Sequence, residues 1–186
     1  MIDVKLKVDS TMLADYLAWL FPPLNEGGPL KISTNHSLGK LLVAHCHIDE
    51  RSDRSISKGS VLKAGRNKST MVTLDLPNDA ATKPLIGKWL WYPPADTAAL
   101  NMALKAVFDI DFNMYYLRGI EMGHQKKDIV TAFIVSRGLF STDCFDSLHK
   151  RVYRRSQQLL DSLTKQLIRK AYYINSTINL KGLNDD

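Results

Sequence analysis

From Thr97 to Asn175 the chain contains no proline and only three glycines, Gly119, Gly123 and Gly138, whereas both residues interrupt the chain repeatedly before that point. Proline breaks a helix interior and glycine costs about 1 kcal/mol relative to alanine there. The second half can therefore be built of long helices, and the first half cannot. Apolar spacing predicts four of them, over Ala98–Phe108, Phe112–Met122, Lys126–Arg137 and Cys144–Tyr173. Gly123 and Gly138 stand where helices end in a left-handed residue. Asp109 and Asp111, on either side of Ile110, read as caps where the first two helices meet.

The first half has a different period. Ile2, Val4, Leu6 and Val8 alternate with Asp3, Lys5 and Lys7, which is a strand with one buried face. Asp9 and Ser10 can cap a short helix carrying Leu13, Tyr16, Leu17 and Leu20, stopped by Pro22-Pro23. Leu30–Thr34 and Lys40–Ile48 read as two strands around an Asn35–Gly39 turn, although Leu38, Leu41 and Leu42 also suit one helical face. Asp49–Lys68 is crowded with Ser, Arg, Lys, Asp and Gly and reads as a long exposed loop. Met71–Leu76 and Leu85–Tyr92 are further strands, each ended by proline.

The expected fold is α+β: a β-rich module with one helix over residues 1–95, then an all-helical module over residues 96–186. The boundary falls near Tyr92–Asp96. The segment Lys126–Gly138 and the long last helix form a helix-turn-helix-like pair.

Composition narrows the class of function. The chain is 45% hydrophobic and 24% charged, as soluble globular proteins are. The N-terminus carries no long apolar run, and no stretch of about 18 apolar residues occurs, so a cytoplasmic protein with no membrane contact is expected. Cys46 and Cys144 stand far apart, which disfavours a disulfide framework or a cysteine-rich zinc site.

Lys and Arg number 25 against 19 Asp and Glu, a formal charge of +6 at pH 7. The surplus is not a property of either half, since each carries three more bases than acids. It is concentrated in the last helix. Between Phe145 and Tyr172 lie Lys150, Arg151, Arg154, Arg155, Lys165, Arg169 and Lys170 against only Asp146 and Asp161. On a helical wheel Phe145, Leu148, Val152, Leu159, Leu163 and Leu167 share one sector, with the cations opposite. In a DNA-binding helix-turn-helix the second helix lies in the major groove and its cations reach phosphates and base edges. Ser147, Lys150, Arg151, Arg154, Arg155 and Gln158 are then the nucleic-acid-binding residues, and double-stranded DNA is the expected partner. The alternative is a protein-interaction or assembly module, pairing with a second copy or another protein, whose basic helix face is merely solvated.

Catalysis and metal binding find little in the sequence. In His45-Cys46-His47-Ile48-Asp49 two imidazoles and a carboxylate would share a strand face, a donor set suited to Zn or Fe. The alternation also explains itself as exposed polar residues opposite Leu42, Ala44, Cys46 and Ile48. Glu121 and His124 have the Glu-x-x-His spacing of di-iron bundles, but with only Glu26 and Glu50 besides, the remaining carboxylates are missing. Ser-x-x-Lys occurs three times, at Ser37, Ser55 and Ser147, and there is no glycine-rich phosphate loop or nucleophile elbow. No enzyme activity, metal or cofactor is expected. Trp89, Trp91 and Tyr92 could make an aromatic contact patch or plug a seam.

Overall fold

The computed structural model describes residues 2–49, 69–79, 82–141 and 144–154, with 162, 165 and 167–169 beyond. Apart from Asp49, the expected loop over 49–68 lies outside the described residues, as does most of the last helix past residue 154. Residues 1–144 form one compact unit and residues 145–186 a second.

The first unit opens with β1 (Asp3–Val8), in which Val4, Leu6 and Val8 are buried and Asp3 and Lys5 exposed, as the period of two requires. Helix α1 (Thr11–Leu20) follows at once because the Ser10 hydroxyl accepts the Leu13 amide at 3.2 Å. It buries Leu13, Ala14, Tyr16 and Leu17 and stops before Pro22-Pro23.

After the two-residue strand β2 (Leu30–Lys31) the chain departs from the hairpin expected around Asn35–Gly39. Residues Ser37–Ala44 form a helix, α2. Its N-cap is His36, whose Nδ1 accepts the Leu38 amide at 3.1 Å. Leu38 and Leu42, four residues apart, turn into the core. Gly39 lets the helix touch the preceding loop, since a Cβ there would fall 2.0 Å from the Ser33 carbonyl oxygen. The alternative helical pairing of the leucines is the one realised, so the described residues of the first half include a second helix besides α1.

Strand β3 (His47–Ile48) pairs antiparallel with β5 (Leu90–Trp91), and between them in sequence lie β4 (Thr70–Asp75) and a single 3₁₀ turn at Lys83–Leu85. The strand expected over Leu85–Tyr92 is thus reduced to two residues. The main sheet has order β1-β4-β2: β1 runs antiparallel to β4 from Asp3 opposite Asp75 to Val8 opposite Thr70, and β2 runs parallel to it. Leu74 and Leu76 join Ile2, Val4, Leu6, Val8 and Ile32 in the core beneath.

Pro93-Pro94 both ends β5 and starts the longest element, α3 (Pro94–Glu121), with Pro94 at the first helical turn where its missing N–H is harmless. The two helices expected over Ala98–Phe108 and Phe112–Met122 are one. Asp109 and Asp111 sit inside it and cap nothing. Leu100, Leu104, Phe108 and Phe112 are buried, and Phe108 meets Tyr16 edge-on at 5.0 Å while Phe112 meets Phe133 at 5.0 Å. Each such side chain contributes about 1.5–3 kcal/mol by leaving water. Gly123, at φ +80°, turns the chain into α4 (Lys126–Ser136), and Gly138, at φ +61°, ends it. Both glycines are where the sequence placed helix ends.

The seam expected at Tyr92–Asp96 runs through the interior of the first unit. Buried Asn101 shows why α3 belongs with the strands. Its side-chain amide donates to the carbonyls of Lys7 (2.8 Å) and Thr97 (2.9 Å), and its carbonyl accepts the Asp9 amide (3.0 Å). One side chain thereby pairs the backbone groups left over where β1 ends. The buried Tyr92 hydroxyl donates to the Leu42 carbonyl at 2.8 Å, tying α2 to the residue that follows β5. The molecule is α+β, with small sheets in the N-terminal part and the longer helices after them.

Candidate functional site

Residues 144–154 are helical. Of the second unit's part, Leu148 and Val152 are buried, four residues apart, while Ser147, Lys150 and Arg154 are exposed. Arg151 is half-buried and makes an interaction of its own. The amphipathic division expected for this helix therefore holds over its first turns, and three of the six expected contact residues present themselves to solvent. Arg155 and Gln158 lie outside the described residues. Leu167, expected on the apolar sector, is instead 67% exposed, and Tyr153 is 66% exposed. His149 is exposed and stacks on Phe145, ring centroids 5.7 Å apart. The other member of the expected helix pair, α4, belongs to the first unit.

The His45–Asp49 string does not form the expected strand face. His45 caps the C-terminus of α2, only His47 and Ile48 are in a strand, and Ile48 is exposed where a buried residue was expected. The carboxylate that the imidazoles meet is Asp96, in the first turn of α3. His45 Nδ1 lies 3.0 Å from its Oδ1 and His47 Nε2 2.8 Å from its Oδ2. Hydrogen bonding from His45, reinforced by His47, holds the Asp96 carboxyl below the usual carboxylate range. Because each ring takes a different oxygen, the three groups form a hydrogen-bonded chain rather than a ligand cage. Among the described residues no group of three or more His, Cys, Asp or Glu is arranged to hold a metal ion. Beside this chain, burial pushes the Cys46 thiol up to about 11, the opposite of what a nucleophile needs.

A second polar cluster lies at the middle of α3. Arg137, the residue after α4, donates from Nε (2.9 Å) and Nη2 (3.0 Å) to the two oxygens of Asp111, and the Tyr16 hydroxyl donates to the same carboxylate at 3.1 Å. The guanidinium also lies 4.1 Å over the Trp19 ring. Burial, then the Asp111 charge, pushes the Tyr16 hydroxyl well above its ordinary range. This cluster fastens α1, α3 and the end of α4 together. Asp111 was expected to cap a helix, and nothing local in the sequence couples it to Arg137.

Among the described residues, two hollows open on the first unit. One, of about 330 Å³, lies between the C-terminal end of α3 and α4, with Tyr115, Met122 and Ile129 as walls and Arg118, His124 and Asp128 among its lining. Its floor is the close crossing at Gly119, where a Cβ would come within 2.7 Å of Ile129. The other, of about 470 Å³, lies at one end of the main sheet around Ile2, Lys31, Asp75 and Ile86. Trp89 is exposed and Trp91 partly so, while Tyr92 is buried, so the aromatic run divides between surface and seam.

Comparison with models of protein families, with curated proteins and with solved structures gives no match to this chain. Among the described residues no helix is long and apolar enough to cross a membrane.

Proposed function

We propose that this protein binds double-stranded DNA without catalysing a reaction on it, through the basic face of the helix that includes residues 144–154. The observation that carries the reading is the division of residues 145–154, in which Leu148 and Val152 turn inward while Ser147, Lys150 and Arg154 stand in solvent. Residues three and four apart on a helix are surface neighbours, so these three side chains make one short polar stripe. Duplex DNA offers it one negative charge per about 1.7 Å of axis. Lys150 and Arg154 neutralise phosphates, Ser147 donates a hydroxyl to a phosphate oxygen, and Arg155 and Gln158 extend the same face in the sequence. Any reading of bases falls to the N-terminal part of the helix, as it does where a recognition helix enters the major groove.

The test is binding to random-sequence duplex DNA across a salt series. Affinity is expected to fall linearly with log salt, and a Lys150→Ala, Arg154→Ala, Arg155→Ala variant to lower the slope by about 2–3, at roughly 0.9 per phosphate contact. Absence of binding at low salt, or a slope the triple variant leaves unchanged, removes the reading.

A further inference from the structure

Helix α3 has two apolar faces, and the core uses only one. Opposite Leu100, Leu104, Phe108 and Phe112 stand Ile110 at 60% exposed, Leu117 at 57% and Ile120 at 41%, flanked by Met102 at 72% and Met114 at 67%. A helix apolar on all sides is normally covered on all sides. The positions on that side also keep a stricter period than a lone surface helix needs. Ala99, Ala103, Ala106, Ile110, Asn113, Leu117 and Ile120, of which Ala103 and Asn113 are half-buried and the others exposed, alternate by four and three residues, the a/d spacing of a helix-pairing seam.

The order of sizes along that seam says what covers it. The N-terminal half is alanine and the C-terminal half carries Leu117 and Ile120, so the stripe does not match itself in parallel. Turned antiparallel about a two-fold axis near Ile110, it does: the alanines of one copy lie against Leu117 and Ile120 of the other, small facing large. Alanines also let two helix axes approach toward the short end of the usual 8–10 Å. The seam is about 32 Å long at 1.5 Å per residue. Two such stripes, with the methionines closing over the margins, remove on the order of 1,000 Å² from water, near the lower bound for a specific interface. Methionine suits the margin because it adapts its shape.

We propose that the exposed face of α3 is a homodimer interface in which two copies of the chain pair their α3 helices antiparallel. The interface involves none of the basic residues assigned to DNA, so either proposal can fail without the other.

Sedimentation velocity over a concentration series, without DNA, is the test. The wild-type chain is expected to be dimeric at tens of micromolar, and Ile110→Glu and Leu117→Glu to raise the dimer dissociation constant at least 100-fold. Both positions are exposed, so circular dichroism should stay close to wild type and Tm should fall only by the stabilisation that dimerisation supplied, and two variants guard against one failing to fold. Orientation is read by a short bismaleimide in a Cys46→Ala background: a chain carrying Ala103→Cys should cross-link to one carrying Leu117→Cys, and neither strongly to itself. A monomer throughout the series, a dimer indifferent to both glutamates, or Ala103→Cys chains cross-linking to each other would overturn the proposal.

Discussion

Asp96 and Asp111 are the same residue on the same helix, fifteen positions apart, and they are held in different ways. Asp111 is gripped by groups that do not change charge near neutral pH: a guanidinium that meets both its oxygens and a tyrosine hydroxyl. Its side chain and that of Arg137 keep only 25% and 20% of their exposure. Asp96, at the start of α3, is itself no more exposed, at 25%, but it is shared by two imidazoles, His45 and His47, that remain 36% and 52% exposed. The first cluster is a fastener insensitive to the medium. The second is a contact between side chains that water also reaches, where an ion pair is worth little. Position along one helix, and not residue type, decides which carboxylate carries stability.

Substitutions can break or sharpen that contrast. The largest effect is expected from Asp111→Ala, which leaves the Arg137 guanidinium and the Tyr16 hydroxyl half-buried without their acceptor. A loss of about 3 kcal/mol is expected, read as a lower urea midpoint at unchanged m-value. Arg137→Lys keeps the charge but gives up the paired hydrogen bonds and the stacking on Trp19, and should cost about 1–2 kcal/mol. Tyr16→Phe keeps the ring against Phe108 and removes one hydrogen bond, for about 1 kcal/mol in the same titration.

Asp96→Asn should be the mildest, a Tm change smaller than any of these. It should also be the one whose effect depends on acidity. A carboxylate whose folded pKa is depressed stabilises above its unfolded value of about 3.9 and stops doing so as pH falls through the folded one. The Tm gap between wild type and Asp96→Asn is therefore expected to be full at pH 6 and to narrow progressively as pH falls below about 3.9. A gap that stays equal above and below that point would show that Asp96 acts through packing alone. Asp111→Ala should cost more than Asp96→Asn at pH 7, and the reverse order would undo the comparison.

How much of this was legible beforehand depends on whether the signal was local. Strand β1 was readable because a period of two is a property of consecutive residues, and Gly123 and Gly138 because a left-handed helix end nearly demands glycine. The basic face over Ser147, Lys150 and Arg154 was readable for the same reason. Helix α2 was legible only as an alternative, in the helical spacing of Leu38, Leu41 and Leu42, because the close approach of Gly39 to the Ser33 carbonyl that goes with it is visible only once the loop is in place. Asp111 resembled a cap at a helix junction because its partners, Tyr16 and Arg137, lie 95 and 26 residues away. Asp96 escaped notice for the same cause: Asp49 was closer in sequence to the histidines, and Asp96 was closer in space.

The amide of Asp9 donates to the side chain of Asn101, 92 residues further on. A backbone proton just past the end of a strand would ordinarily trade with solvent in seconds, yet this one is held by a side chain of α3 and should be released when α3 lifts away from β1. Its exchange with deuterium should be as slow as that of the strand's own interior amides. A single resonance in a two-dimensional spectrum would then serve as a gauge of whether the longest helix is seated, in any variant, at any pH, and with any partner added to the tube.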